Sequence, residues 1–203
     1  RAADGGVEGW TVRHGAGKPL GRGSRFEVLE GGGLALEGDA SVGHWRLFAQ
    51  TVAVRPGASY ELTFEQRAAG LRLDPGQFDN AYVGVRLFGP PHVSATSMRV
   101  ATAPRDAFAA EQVVFRAPGA RVDVTVFLSK SGRLEVRHVA MRELVPAESL
   151  AVLARELSLR YAHFAAAGSS WAEAVAARRA SFPADGAAAA FVEAARGLLA
   201  PLR

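Results

Sequence analysis

Apolar and polar residues alternate with a period of two through most of the first 145 residues. The alternation is clearest in Tyr60–Arg67, where Tyr60, Leu62 and Phe64 share one face, and in Arg121–Leu128. This period is typical of a strand with one buried face. Similar patterns predict six further strands, at Phe26–Glu30, Leu34–Glu37, Trp45–Val54, Ala81–Phe88, Glu111–Ala117 and Leu134–Leu144.

Glycine and proline fill the intervals between these strands, for example at residues 31–33, 55–57 and 117–119. Many short strands separated by turn residues, without helices between them, predict an antiparallel sandwich or barrel. The last strand changes phase, because its apolar residues are even-numbered before Arg137 and odd-numbered after His138. A β-bulge at this point would restore a single buried face. The alternative is a strand that is covered on both faces.

The hydrophobic period lengthens to three and four residues after Pro146. Leu150, Leu153 and Leu157 begin an apolar stripe that predicts an amphipathic helix. Ser170 and Glu173 have the spacing of a capping box and predict the start of a second helix. The apolar stripe of a third helix consists of Phe191, Ala195, Leu198 and Leu202. We therefore predict an all-β sandwich over residues 1–145, followed by a small all-α segment of three helices over residues 146–203.

The charge of the chain is positive but dispersed. The formal net charge is +4, and all but Lys18 and Lys130 of the 24 basic side chains are arginines that alternate with apolar or acidic residues. Nucleic-acid binding requires a clustered basic surface, so we expect no nucleic-acid partner. The absence of cysteine excludes disulfides and thiolate chemistry. No apolar run reaches the length of a membrane span.

The segment around the third and fourth predicted strands has a characteristic order of residues. Trp45 is followed by Gln50, a short apolar alternation, Pro56-Gly57 and the aromatic Tyr60. This order resembles the jelly rolls of galactose-binding-like domains and carbohydrate-binding modules. The resemblance implies a jelly-roll sandwich with Trp45 in its core, and it makes a glycan an expected partner.

This first resemblance covers residues 25–144 and includes the later segment 115–129. Many members of the group carry aspartates in the final strand that contribute to a calcium site. The corresponding segment here, Leu134–Arg142, contains no aspartate. We therefore do not expect a structural calcium ion.

The helical segment has a resemblance of its own. Its residues 161–164 (Tyr-Ala-His-Phe), Trp171, Phe191 and the leucine-rich 198–202 resemble the region that precedes the catalytic core of tail-specific serine peptidases, the C-terminal-processing and tricorn-core-like enzymes. The resemblance implies a catalytic domain beyond this chain, with a serine nucleophile and a lysine base. It also implies a secreted or periplasmic location. Phe191, Leu198 and Leu202 are the predicted docking surface for that missing C-terminal catalytic domain.

Catalytic and metal-binding patterns are absent from the sequence. Ser129-Lys130-Ser131 lies between two predicted strands and is typical of a turn. The five histidines do not have the spacing of metal ligands. They are His14, His44, His92, His138 and His163. We predict that the chain is not itself an enzyme and that it needs no metal or other cofactor.

Tyr82 marks the predicted ligand-binding face. If Val83 and Leu87 point inward, Tyr82 and Arg86 point outward. The outward residues of strand 60–67 and the polar loop before Tyr82 complete this face. The predicted site consists of Tyr82, Arg86, Glu65, Arg67, Gln77 and Asp79. The alternative is a solvated sheet face held by Arg–Glu pairs across strands.

Three functions remain open at this point. The main interpretation is a non-catalytic accessory region of a secreted serine peptidase, which positions substrate, glycan, peptide or partner while the helices dock on the catalytic domain. One alternative is a stand-alone carbohydrate-binding module, which predicts exposed aromatic rings on one sheet face. The other alternative is a structural protein-interaction domain, which predicts an apolar patch on the helices.

Overall fold

The computed structural model describes residues 9–14, 24–39, 45–71, 81–89, 93–100, 107–129, 131–160, 173–178 and 188–199. Within these ranges the chain forms ten strands and three helices. The strands are β1 Thr11–His14, β2 Ser24–Val28, β3 Leu34–Gly38, β4 Arg46–Ala53, β5 Ser59–Ala69, β6 Ala81–Gly89, β7 Val93–Val100, β8 Ala109–Arg116, β9 Arg121–Leu128 and β10 Gly132–Leu144. The helices are α1 Pro146–Arg160, α2 at 173–178 and α3 Ala188–Leu199.

The strands form two five-stranded antiparallel sheets. Sheet A has the order β1-β4-β9-β6-β7, and sheet B has the order β2-β3-β10-β5-β8. Consecutive strands repeatedly change sheet, so the two sheets are built together as a sandwich. The predicted jelly-roll sandwich followed by helices is confirmed.

The core lies between the two sheets and is made by the inward residues of every second position. In β9 these residues are Val122, Val124 and Val126, each at most 2% exposed. Phe26 of sheet B meets Phe48 of sheet A edge to face, with ring centroids 5.4 Å apart. The alternation in the sequence therefore predicted correctly which residues face the core.

Two strands, β1 and β7, were not predicted. Both lie at the edges of sheet A. β1 has only four residues, and β7 reads Val-Ser-Ala-Thr-Ser-Met-Arg-Val, with few large apolar side chains. An edge strand has one neighbour and a small share of the core, so its alternation is weak.

The phase change predicted in β10 coincides with an irregular backbone. His138 has a φ of 53°, in the left-handed region that residues other than glycine rarely adopt. Leu134 and Val136 belong to the core, and Val139 and Met141 pack against it. Two residues instead of one therefore separate the inward positions at Arg137-His138, as the predicted bulge requires.

Arg46 connects the two sheets at one end of the core. It belongs to β4 of sheet A and is 1% exposed, and its Nη1 donates to the Glu37 carbonyl of sheet B at 2.9 Å. Burial lowers the pKa of Arg46, which the charge of Asp39 partly offsets. The guanidinium occupies the space above Gly38, where a Cβ atom would lie 1.6 Å from Nη1. Any side chain at position 38 would therefore displace the Arg46 guanidinium.

The chain divides into two compact units, Arg1–Arg142 and Glu143–Arg203. In the second unit, Pro146 opens α1 and the Glu148 carboxylate accepts the backbone N–H of Val145 at 3.0 Å. Proline in the first turn and an acidic side chain reaching back are typical of a helix start.

Helix α1 contacts α3, and Leu150 is its fully buried side chain among those described. The predicted capping residue Ser170 and the whole of Leu202 lie outside the described residues. The side chains of Phe191 and Leu198 also lie outside them. The docking surface therefore stays a prediction.

Candidate functional site

The two halves of the predicted ligand-binding face belong to different sheets. Tyr82 and Arg86 lie on β6 of sheet A, and Glu65 and Arg67 lie on β5 of sheet B. All four alternate with core residues, so each pair points outward from its own sheet. The outer faces of a sandwich point in opposite directions, and the structure therefore does not bring these residues together. Gln77 and Asp79 lie outside the described residues.

The outer face of sheet A carries three aromatic side chains in contact. Phe127 of β9 stacks on Tyr82 of β6, with ring centroids 4.7 Å apart and planes 18° apart. Trp45, just before β4, stacks on the other side of Phe127 at 6.4 Å and 27°. We call Trp45, Phe127 and Tyr82 the aromatic row. It crosses the middle three strands of the sheet.

Trp45, at the β4 end of the aromatic row, is its most exposed residue. Its side chain is 38% exposed, whereas Tyr82 is 8% exposed. The expectation that Trp45 belongs to the core was wrong, because Trp45 shares the outward parity of Leu47, opposite to that of the core residue Phe48. The exposed face of an indole is an apolar surface for a ligand, and Phe127 and Tyr82 fix the plane of the ring behind it.

Small residues occupy the outward positions next to the aromatic row, two residues along β6 and β9 of sheet A. Thr11 pairs with Ala49, Ala49 with Thr125, and Thr125 with Gly84. Ala49 and Thr125 are at most 2% exposed, so the middle of this face is closed to solvent. Ligand contacts are therefore confined to β1 and to the two ends of β4, where Trp45 and Thr51 are exposed.

A polar row lies two residues further along the strands. Thr51, Asp123 and Arg86 occupy equivalent register positions on β4, β9 and β6. The Thr51 hydroxyl donates to Asp123 Oδ1 at 2.6 Å. Arg13 of β1 starts opposite Leu47 and its Nη1 reaches Asp123 Oδ2 at 3.5 Å, crossing the small residues on the way. The open side of sheet A thus presents an indole, a guanidinium and hydroxyl groups.

The outer face of sheet B has a different character, because its charges pair with one another. Arg133 donates to Glu135, Glu37 and Glu27 at 2.6, 2.9 and 2.8 Å. These hydrogen bonds raise the pKa of Arg133, chiefly through Glu135. Arg67 donates to the second carboxylate oxygen of Glu135. This is the Arg–Glu cross-strand arrangement that the sequence left open as an alternative for Glu65 and Arg67.

The carboxylates of this network are held in their charged form. Burial alone would raise the pKa of Glu135, but hydrogen bonds from Arg67 and Arg133 outweigh it, so the pKa is lowered. The hydrogen bond from Arg137 lowers the pKa of Glu65, and burial opposes it. Each acidic group here has a basic partner within the sheet, so the network is already complete without a ligand.

One aromatic ring also lies on sheet B. The guanidinium carbons of Arg67 and Arg137 lie 4.8 and 4.0 Å from the centroid of Phe108. Guanidinium groups therefore occupy the ring face that a sugar would use. Phe108 is consequently a poor stacking surface compared with Trp45.

In the described parts of the chain, no group of three or more histidine, cysteine, aspartate or glutamate side chains is arranged to hold a metal ion. No helix among the described elements is long and apolar enough to cross a membrane.

Comparisons with known proteins do not assign the chain to a family. No family model and no curated protein matches the chain. Among solved structures, the enzymatically active domain of bacteriophage CBA120 tailspike protein 4 matches 68% of this chain with a TM-score of 0.49 and 13% identity. The match spans 20% of the tailspike chain.

Two smaller proteins match most of their own length. A CBM4 structure matches 66% of this chain and 86% of its own, with a TM-score of 0.48 and 12% identity. TmCBM61, solved in complex with β-1,4-galactotriose, matches 70% of this chain and 92% of its own, with a TM-score of 0.43 and 10% identity. Similarity at this level carries no argument about function, which must be made from the site itself. The peptidase resemblance stays a prediction.

Proposed function

We propose that this chain is a non-catalytic carbohydrate-binding module that holds an oligosaccharide against the open side of sheet A. The observation that carries the proposal is the exposed indole of Trp45, supported from behind by Phe127 and Tyr82. Sugar rings have an apolar C–H face and polar edges, so they suit a flat aromatic surface that has hydrogen-bonding groups beside it.

Polar groups lie along β1 and β4 at distances that suit such a ligand. Arg13 is opposite Leu47, two residues from Trp45, and Thr51 is six residues from Trp45. At about 3.3 Å per residue these spacings are roughly 7 Å and 20 Å. The strip is therefore long enough for several linked sugars, with an aromatic surface at one end and hydroxyl or guanidinium donors along it.

The alternative surface on sheet B is less suitable. Its guanidinium groups are bound to carboxylates, and Phe108 is covered by Arg67 and Arg137. A ligand would have to break these contacts before it gained any of its own. A glycan-binding role on sheet A agrees with the predicted secreted or periplasmic location and with the predicted accessory role beside a catalytic domain.

The test is native gel electrophoresis in gels that contain single polysaccharides, including β-glucan, xylan, galactan and polygalacturonate. The wild-type protein should be retarded by at least one polymer. Trp45→Ala should weaken that binding about 30-fold or more, as expected for loss of a central aromatic contact. Trp45→Phe should retain part of the affinity.

The matched control is Phe108→Ala, which removes an aromatic ring from the other sheet. It should leave retardation unchanged. Retardation that survives Trp45→Ala but is lost in Phe108→Ala would move the site to sheet B. Absence of retardation in all polymers would remove the proposed function.

A further inference from the structure

The open side of sheet A has more positive than negative charge. Arg13 and Arg86 flank Asp123, which is the one carboxylate among the described residues on this outer face. On sheet B, four arginines already form ion pairs with the five carboxylates of the outer face. The candidate ligand face instead carries at least two arginines beside a single carboxylate among the described residues.

Asp123 does not saturate the two arginines beside it. A carboxylate has about four acceptor positions, and each guanidinium has five N–H donors. The hydroxyl of Thr51 already uses one of these positions, at 2.6 Å. The contact of Arg13 with Asp123 uses one of the five N–H donors of its guanidinium.

Arg13 is the more available of the two guanidinium groups. Its contact with Asp123 Oδ2 is 3.5 Å long, and its side chain is 45% exposed. At 3.5 Å this contact is at the upper limit of a hydrogen bond, so Arg13 gives up little when it turns toward a ligand. Thr51 continues to hold Asp123 when Arg13 moves.

The distance between Arg13 and Trp45 determines which kind of ligand could contact both side chains. The residue opposite Arg13 on β4 is Leu47, about 7 Å along the strand from Trp45. A sugar ring stacked on Trp45 would place an acidic group at its edge within reach of the long Arg13 side chain. A guanidinium binds a carboxylate through two parallel hydrogen bonds, which is stronger and more specific than binding a hydroxyl.

We infer that the module selects acidic oligosaccharides, whose uronic acid rings stack on Trp45 and whose carboxylates accept hydrogen bonds from the guanidinium of Arg13. This inference rests on the proposed function, since it requires that sugars bind at Trp45. It adds the class of sugar and the residue that selects it.

The experiment compares pairs of polymers in which one member carries a carboxylate and the other a neutral group at the same position. Polygalacturonate is paired with its fully methyl-esterified form, and alginate and glucuronoxylan are each paired with their carboxyl-reduced forms. The acidic member of at least one pair should bind the wild-type protein about tenfold more tightly or better, as expected for a charged hydrogen-bonded pair. Arg13→Gln should remove most of this preference, whereas Arg25→Gln, which removes the same charge from sheet B, should preserve it.

A second variant is expected to bind more tightly than the wild type. Such a gain is informative because a misfolded protein would lose affinity instead. Asp123→Asn keeps an oxygen that accepts from Thr51 but removes the competing negative charge. It should tighten binding of the acidic polymer several-fold and leave its neutral partner unchanged. Unchanged or weaker binding of the acidic polymer by folded Asp123→Asn would contradict the inference.

The outcomes separate this inference from the proposed function. Equal binding of acidic and neutral partners, with loss of both in Trp45→Ala, would overturn the acidic selectivity and leave the proposed module intact. Tight binding of sulfated carrageenan but of no uronic acid polymer would overturn the assignment to carboxylates. Binding of neither member of any pair would count against the module itself.

Discussion

The contact between Gly38 and Arg46 gives the sharpest stability prediction. Replacing Gly38 by alanine would put a Cβ atom 1.6 Å from Arg46 Nη1 and 2.4 Å from its Cζ. Arg46 cannot move aside freely, because it is 1% exposed and hydrogen-bonded to the Glu37 carbonyl at 2.9 Å. Either the hydrogen bond breaks or the two sheets separate locally.

The size of the effect follows from these contacts. Loss of a hydrogen bond from a charged group costs about 1.5–3 kcal/mol, and an overpacked methyl group typically costs about 1–3 kcal/mol. We expect Gly38→Ala to lower the free energy of unfolding by about 3 kcal/mol. For a unit of this size that corresponds to a decrease in Tm of roughly 10 °C.

A double-mutant cycle isolates the clash. In an Arg46→Ala background the space above Gly38 is empty, so Gly38→Ala should be neutral or stabilise by up to about 1 kcal/mol, since glycine is unfavourable within a strand. Urea unfolding followed by near-ultraviolet circular dichroism measures all four proteins. A similar cost of Gly38→Ala in both backgrounds, or a cost below about 1 kcal/mol in the wild type, would refute this account of the Arg46 contact.

Three other predictions concern the strand β10 and the aromatic row. At position 138 the φ of 53° strains any side chain, so His138→Gly should be about 1 kcal/mol more stable than His138→Ala in urea unfolding; equal stability would contradict the strain. The lowered pKa of Glu135 means that its ion pairs stabilise the protein above pH 4.5 and are lost as the pH falls below that value, so Glu135→Gln should reduce the decrease in Tm between pH 6 and pH 3. An unchanged pH profile would show that these ion pairs contribute nothing to folding. Phe127→Ala should weaken glycan binding because it removes the ring behind Trp45, but less than Trp45→Ala does, and equal or greater loss would make Phe127 the primary contact.

The sequence predicted the fold more fully than the site. Alternation shows which residues of a strand face inward, and Val83, Val85 and Leu87 are buried as expected. It does not show to which of two sheets a strand belongs. Tyr82 and Glu65 were therefore assigned to one face, although β6 and β5 lie in different sheets.

The jelly-roll resemblance implied that Trp45 lies in the core, and the pattern of its own strand does not correct this expectation. Trp45 precedes the strand, and Arg46, Leu47, Phe48 and Ala49 are all buried, so this end of β4 has no clear polar face. The inward position next to it is taken by the arginine that connects the sheets. Arg46 is charged but points toward the core, whereas a charged residue in a strand usually points toward solvent. The pairing of Leu47 with Phe127 shows that Trp45, which has the parity of Leu47, faces outward.

The central claim is that a sugar binds at Trp45, and the indole N–H signals of the ¹⁵N-labelled protein test it most directly. The chain has three tryptophans, and Trp45→Phe assigns the signal of interest by its disappearance. A hexasaccharide of a retarding polymer is then added. We predict that the Trp45 signal shifts in proportion to binding, while the signal of Trp10, which packs edge-on against Phe48, stays in place. Saturable binding that leaves the Trp45 signal unmoved, and instead shifts the side-chain Nε–H signals of Arg67 and Arg137, would contradict the account and assign the ligand to sheet B.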